Sequence, residues 1–167
     1  MPLNIATLAN EILRMTDQHK SDFLGWPIVL VDGVLDVGAS NTLVATNWSN
    51  AIARFFVEMT APVVLPTAIP LATLAMKGAM EATLGVPGAI TAAAALKAGL
   101  AAFAGVLATN VAPPSVAVPP PNPFEAGFGL PTSDPRPPAL SLATAVFVWA
   151  KTGLFGVPPQ PPSTPWS

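Results

Sequence analysis

At 167 residues the chain suits one domain with attached arms. Its apolar fraction is 51% and its charged fraction only 10%, against roughly 25% charged in an ordinary soluble domain, so apolar surface is left for partners to cover. The net charge of −2, with Arg14, Lys20, Arg54, Lys77, Lys97, Arg136 and Lys151 scattered, excludes the clustered basic footprint of a nucleic-acid binder or of a segment held on anionic lipid; the absence of Cys excludes disulfides and thiolate metal sites.

The first twenty residues, MPLNIATLANEILRMTDQHK, lack a cationic start followed by an apolar run and do not read as a secretory signal. Residues 4–18 read as a helix. Asn4 is placed to cap it, and Ile5, Leu8, Ile12 and Met15 recur at helical spacing. Gly25-Trp26-Pro27 then signals a turn. Ile28 to Val31 and Val34 to Val37 flank Asp32-Gly33, which fits either a small β-hairpin or an ordered loop carrying apolar anchors.

Ser40 reads as the N-cap of a helix over 41–60, with Val44, Trp48, Ile52, Phe55 and Met59 on one stripe. Pro62 and Pro66 end it and begin an extended connector. Thr67 can cap the next helix, with Pro70 in its first turn and Gly85 at its end. An Ala-rich helix over 90–110 follows, in which Leu96, Leu100, Phe103 and Leu107 share a face and small residues let neighbours approach closely.

Ten of the 26 residues in 113–138 are proline, which rules out helix and central strand and predicts extended, polyproline-like chain. Phe124, Phe128 and Leu130 punctuate this arm, unlike a solvated linker. A last helix over 139–152 is apolar almost all round and predicts burial on most sides. The tail from 153 is Pro-rich and carries Phe155 and Trp166. The expected fold is therefore mainly α. It comprises a small helical domain of about five helices with long Pro-rich extended arms, the single small β-hairpin remaining an open alternative. Its parts are a helical core over 1–112, an arm over 113–138, a buried C-terminal helix over 139–153 and a tail over 154–167.

No catalytic set, cofactor site or metal site emerges. The sole His, His19, stands near Asp17 and Asp22 at a polar helix end, where it complements the helix dipole. Asp32 and Asp36 bracket Gly33, but Val34, Leu35 and Val37 occupy the positions where a calcium loop needs oxygen ligands. Neither a nucleophile elbow nor a phosphate-binding Gly-rich loop is present. Trp26, Trp48, Trp149 and Trp166, without Tyr or interleaved basic residues, read as core or interface anchors rather than stacking platforms. Trp48-x-x-Ala51-x-x-x-Phe55 and Leu96-x-x-x-Leu100-x-x-Phe103 echo each other weakly; the shared grammar of apolar helices ended by proline is the simpler reading, and an ancient duplication of a helix-plus-Pro-arm unit is the alternative. Residues 86–112 are long enough to span a bilayer, but they are mostly Ala and Gly around a central Lys97, which costs roughly 2.5–3.5 kcal/mol on insertion. Burial against protein is the simpler reading, and a membrane-associated protein is the alternative.

An N-terminal helix leading to Phe23-Leu24-Gly25-Trp26-Pro27 is followed by Asn47-Trp48-x-x-Ala51 with Phe55-Phe56. A Pro-spaced connector and an Ala-rich helix come next, then Trp149-x-x-Thr152-Gly153, Pro158-Pro159 and Pro165-Trp166-Ser167. In this order the features resemble a loosely defined group of bacteriophage virion structural proteins, and they extend over most of the chain; the Pro-rich stretch 113–138 departs from the pattern. The resemblance implies a non-enzymatic subunit of the particle, in tail, baseplate or neck, made in the host cytoplasm. It would work with other virion proteins or copies of itself, without nucleic acid or small-molecule substrate. Phe124, Phe128, Phe155 and Trp166 are the expected anchors between subunits.

Overall fold

The structure is a computed structural model and describes residues 3–19, 30–85, 89–112, 115–117, 134–156, 159 and 161–167. The chain is mainly helical. Among the described residues five helices run in order, α1 (Ile5–His19), α2 (Val37–Phe56), α3 (Ala68–Thr83), α4 (Ala89–Thr109) and α5 (Arg136–Ala150). Seven short strands join them: β1 (Leu30–Val31), β2 (Val34–Leu35), β3 (Val63–Val64), β4 (Val111–Ala112), β5 (Ser115–Ala117), β6 (Leu154–Phe155) and β7 (Thr164–Pro165).

Asn4 opens α1, its Oδ1 accepting a hydrogen bond from the Ala6 amide at 2.9 Å. Leu8, Ile12 and Met15, spaced one helical turn apart, are all buried. β1 and β2 form a hairpin with Leu30 opposite Leu35 and Val31 opposite Val34. Asp32 and Gly33, both at positive φ (52° and 79°), make the two-residue turn, the conformation that favours Asp-Gly here. Of the two readings of this segment, the hairpin is the one that forms.

The hairpin also moves the start of α2. Asp36, not Ser40, caps the helix: its Oδ1 accepts from the Ala39 amide at 2.8 Å. Ser40 lies buried in the first turn, its hydroxyl donating to the Asp36 carbonyl at 2.7 Å, which is the back-bonding open to a serine inside a helix. Val44, Trp48, Ile52 and Phe55 are buried along the inner stripe. The expected end at residue 60 is four residues late, since helical bonding stops at Phe56 and a turn carries the chain to the cis Ala61–Pro62 peptide. α3 begins after Thr67 as expected, but the Thr67 side chain makes no cap bond. α5 begins at Arg136 rather than Ala139, because Pro137 and Pro138 fit its first turn, where a missing N–H leaves no bond unmade.

The most extensive helix pairing joins α3 to α4, followed by α2 with α3 and α1 with α5. Gly99 sets the α3–α4 approach: a Cβ there would lie 2.6 Å from Met80 Cγ and 3.1 Å from Met76 Cγ. The pair is tied at its open end by β3–β4, with Val63 opposite Ala112 and Val64 opposite Val111. The Leu65 amide donates to the Asn110 carbonyl beside it. Side chains from all five helices share one buried cluster, so α5 belongs to the same core as α1 to α4. Replacing Gly99 by Val should overpack this seam and lower the unfolding free energy by about 1–3 kcal/mol, read from denaturant melts; an unchanged midpoint would contradict the close approach.

Candidate functional site: the tail socket and the exposed apolar faces

The tail returns to the domain. β6 lies between β5 and β7, pairing antiparallel with both. Thr164-Pro165 runs along Leu154-Phe155, with Phe155 opposite Thr164. Pro165, which has no N–H to give, stands on an outer strand, where the loss costs no ladder bond. The Trp166 amide then donates to the Gly153 carbonyl at 2.9 Å. Ser167 pairs with the turn after α2: its amide donates to the Ala61 carbonyl (2.9 Å), and its carbonyl accepts from the amides of Thr60 (2.6 Å) and Ala61 (3.2 Å).

Between these backbone bonds the Trp166 side chain enters the core and is 0% exposed. It meets Phe56 edge-to-face, with ring centroids 6.4 Å apart and planes at 86°. Phe56 in turn packs edge-to-face on Phe55 at 5.2 Å and, with the rings tilted at 41°, on Phe103 of α4 at 5.0 Å. The sequence reading assigns Trp166 to a neighbouring subunit, whereas in this single chain the indole closes its own core. The reason is chemical. Phe56 offers an apolar edge-to-face contact to a large aromatic ring wherever it comes from, and the Gly153 carbonyl and the Ala61 backbone hold the residues that carry it. Phe155 is half-buried against the same core. Phe124 and Phe128, with Trp26, lie outside the described residues, as does the His19 side chain.

Other large apolar side chains stay outside. On α3, Leu74 is 70% exposed and Leu71 48% exposed. They lie on one outer face with Pro70, Gly78 and Ala82. Val31, Val34 and Leu35 of the hairpin, Val63 and Leu65 beside α3, and Leu140 and Val148 of α5 are exposed as well. Lys77 and Glu81 recur with Pro70 and Leu74 at helical spacing, so the charged pair was the sequence signal for the side of α3 that meets solvent.

The polar groups do not converge. Among the described residues no cluster of His, Asp and Glu side chains could hold a metal ion. Asp36 is engaged as a helix cap. Two buried side-chain oxygens lack a hydrogen-bond partner, Asn41 Oδ1 and Glu58 Oε2, but they flank opposite ends of α2 and form no joint site. Each residue is otherwise tied, Asn41 Nδ2 donating to the Gly85 carbonyl and Glu58 Oε1 accepting from the Thr7 hydroxyl.

A carboxylate, Glu11, joins α1 to α2. It accepts from Arg54 at 2.7 Å and from Arg14 at 2.9 Å. Burial opposes its ionisation, but the hydrogen bonds and charges of Arg54 and Arg14 outweigh that and hold its pKa below the ordinary 4.5. Because the folded state lowers this pKa, the stabilisation is complete above pH 4.5 and disappears as pH falls through the folded value. Glu11→Gln should therefore lower the Tm at neutral pH and narrow the gap to the parent chain in acid; a gap that is constant with pH would contradict the ion pair. Trp166→Ala should cost about 3–5 kcal/mol of stability, measured by thermal and denaturant unfolding, and a loss below 1 kcal/mol would mean that the tail does not plug the core.

No family model, curated protein or solved structure matches this chain.

Proposed function

We propose that this protein is a non-catalytic structural subunit that assembles through apolar faces with copies of itself or with other proteins, and that the assembly is a bacteriophage particle, in tail, baseplate or neck. The observation that carries the assembly reading is the outer face of α3. Leu71 and Leu74 stand together in water on a chain whose sixteen charged residues give little polar cover. Holding such side chains in solvent forgoes about 1.5–3 kcal/mol for each that could be fully buried, and covering them with protein recovers part of it. Support for the particle itself comes from the ordered sequence features, from Phe23-Leu24-Gly25-Trp26-Pro27 through Trp149-x-x-Thr152-Gly153 to Pro165-Trp166-Ser167.

The alternative is a membrane-associated protein. Thr91–Thr109 of α4 is long and apolar enough to cross a bilayer. Just over half of that stretch is buried against the other helices, however, as in the core helix of a water-soluble fold. Partition of the purified chain into detergent would favour this alternative.

Sedimentation of the purified chain should show multimers at micromolar concentration. The double substitution Leu71→Asp, Leu74→Asp should dissociate them while changing fold stability by no more than about 0.5 kcal/mol per site, as expected of exposed positions. A parent chain that stays monomeric at high concentration would sink the assembly reading, and absence of the chain from purified virions encoded by the same genome would sink the particle reading.

A further inference from the structure

We propose that the socket filled by Trp166 is an exchange site between copies, in which the tail of one subunit closes the core of the next. This rests on the reading of the chain as an assembling subunit and names one of its contacts. The fit needs no assumption about the occupant, because the chain's own tail displays it. Trp166 is fully buried on Phe56, Ser167 pairs with Ala61 through two backbone hydrogen bonds, and Trp166 hangs from the Gly153 carbonyl. Every one of these contacts is re-formed unchanged when the donor is a second copy, which is the economy of a swapped element.

What differs between the two arrangements is the connection. To reach its own socket the chain must bring Thr164 back opposite Phe155. The sequence between them holds Pro158, Pro159, Pro161 and Pro162, which bias a chain toward extended conformations. That return also presses Gly156 close, so that a Cβ there would lie 2.9 Å from Pro162 Cα and 3.2 Å from the Pro161 carbonyl oxygen. Self-closure thus depends on a glycine at 156, whereas a donor strand from another subunit that enters the register only at Thr164, giving up the Ser163 amide bond to the Phe155 carbonyl, avoids that approach. The tail adds an outer strand, touching the rest of the domain through β6, Trp166 and the Ala61 pair, so it can leave without unravelling a helix.

The absence of cysteine gives a clean trap. Ala61 and Ser167 exchange both backbone hydrogen bonds, an arrangement that sets Cα atoms about 5.5 Å apart, within reach of a disulfide. A size-tagged Ala61→Cys chain mixed with an untagged Ser167→Cys chain, then oxidised, can join position 61 to position 167 only between copies. The expected result is a mixed-size product on non-reducing electrophoresis, cleaved by reductant, that rises several-fold from dilute to concentrated samples. It should rise again, at a fixed concentration, when Gly156→Val is built into both chains. The double variant Ala61→Cys, Ser167→Cys in one chain reports whether the pairing geometry is right. If it closes on itself while the mixture gives no mixed product, with and without Gly156→Val, exchange is overturned. If neither links, the socket does not hold the tail and the inference fails too. Both failures stand apart from failure of the assembly reading, which requires the parent chain to be monomeric in sedimentation.

Discussion

Phe56 is the contact on which the rest of the molecule depends. It is the last residue of α2, and it packs at once on Phe55, on Phe103 of α4 and on Trp166 of the tail. The helix that carries it also packs on α1 and α3. One ring therefore joins the middle of the chain to its far end. The arrangement is apolar, edge-to-face on Phe55 and Trp166 and tilted on Phe103, and such aromatic pairs are worth about 0.5–1.5 kcal/mol each beyond simple burial. It tolerates no vacancy, because a missing ring at any of the four positions leaves the others facing a void.

Around this point the chain economises on polar groups. Its few charged side chains are used locally: Glu11 ties Arg54 of α2 to α1, Asp134 receives Arg136 at the start of α5, and Lys77 stands near Glu81 on the surface of α3. Helix starts are sealed by Asn4 and Asp36. Beyond Lys77 and Glu81 little polar surface remains around Leu71 and Leu74 of α3 or around the hairpin, whose apolar side chains stay exposed.

Much of the helical plan was legible from periodicity. Leu8, Ile12 and Met15, and then Val44, Trp48, Ile52 and Phe55, repeat at helical spacing and are all buried. Gly78, Gly99 and Gly105 all read from the sequence as packing glycines within helices, but only Gly99 of the three meets a neighbour, Met76 and Met80 of α3, while Gly78 and Gly105 have nothing within 4 Å. Helix starts were less legible, since Asp36 and Ser40 are both competent caps and only the hairpin ending at Leu35 decides between them. The destination of Trp166 was not legible. Its docking joins residues more than a hundred positions apart, and a tryptophan in a Pro-rich tail reads the same whether it plugs its own core or another. The sidedness of α3 was legible in Lys77 and Glu81, which recur with exposed Leu74 at helical spacing, away from buried Met76 and Met80.

The β3–β4 pair has a thermodynamic consequence. By joining Val63-Val64 to Val111-Ala112 it pins together the two ends of the segment that contains α3 and α4. That segment becomes a closed loop with the largest helix contact of the protein inside it. Its amides should open and close to solvent as one cooperative unit, distinct from the segment held by the tail. The backbone bonds that close the loop come from Val63 to Leu65 and Asn110 to Ala112, and none of them involves the tail.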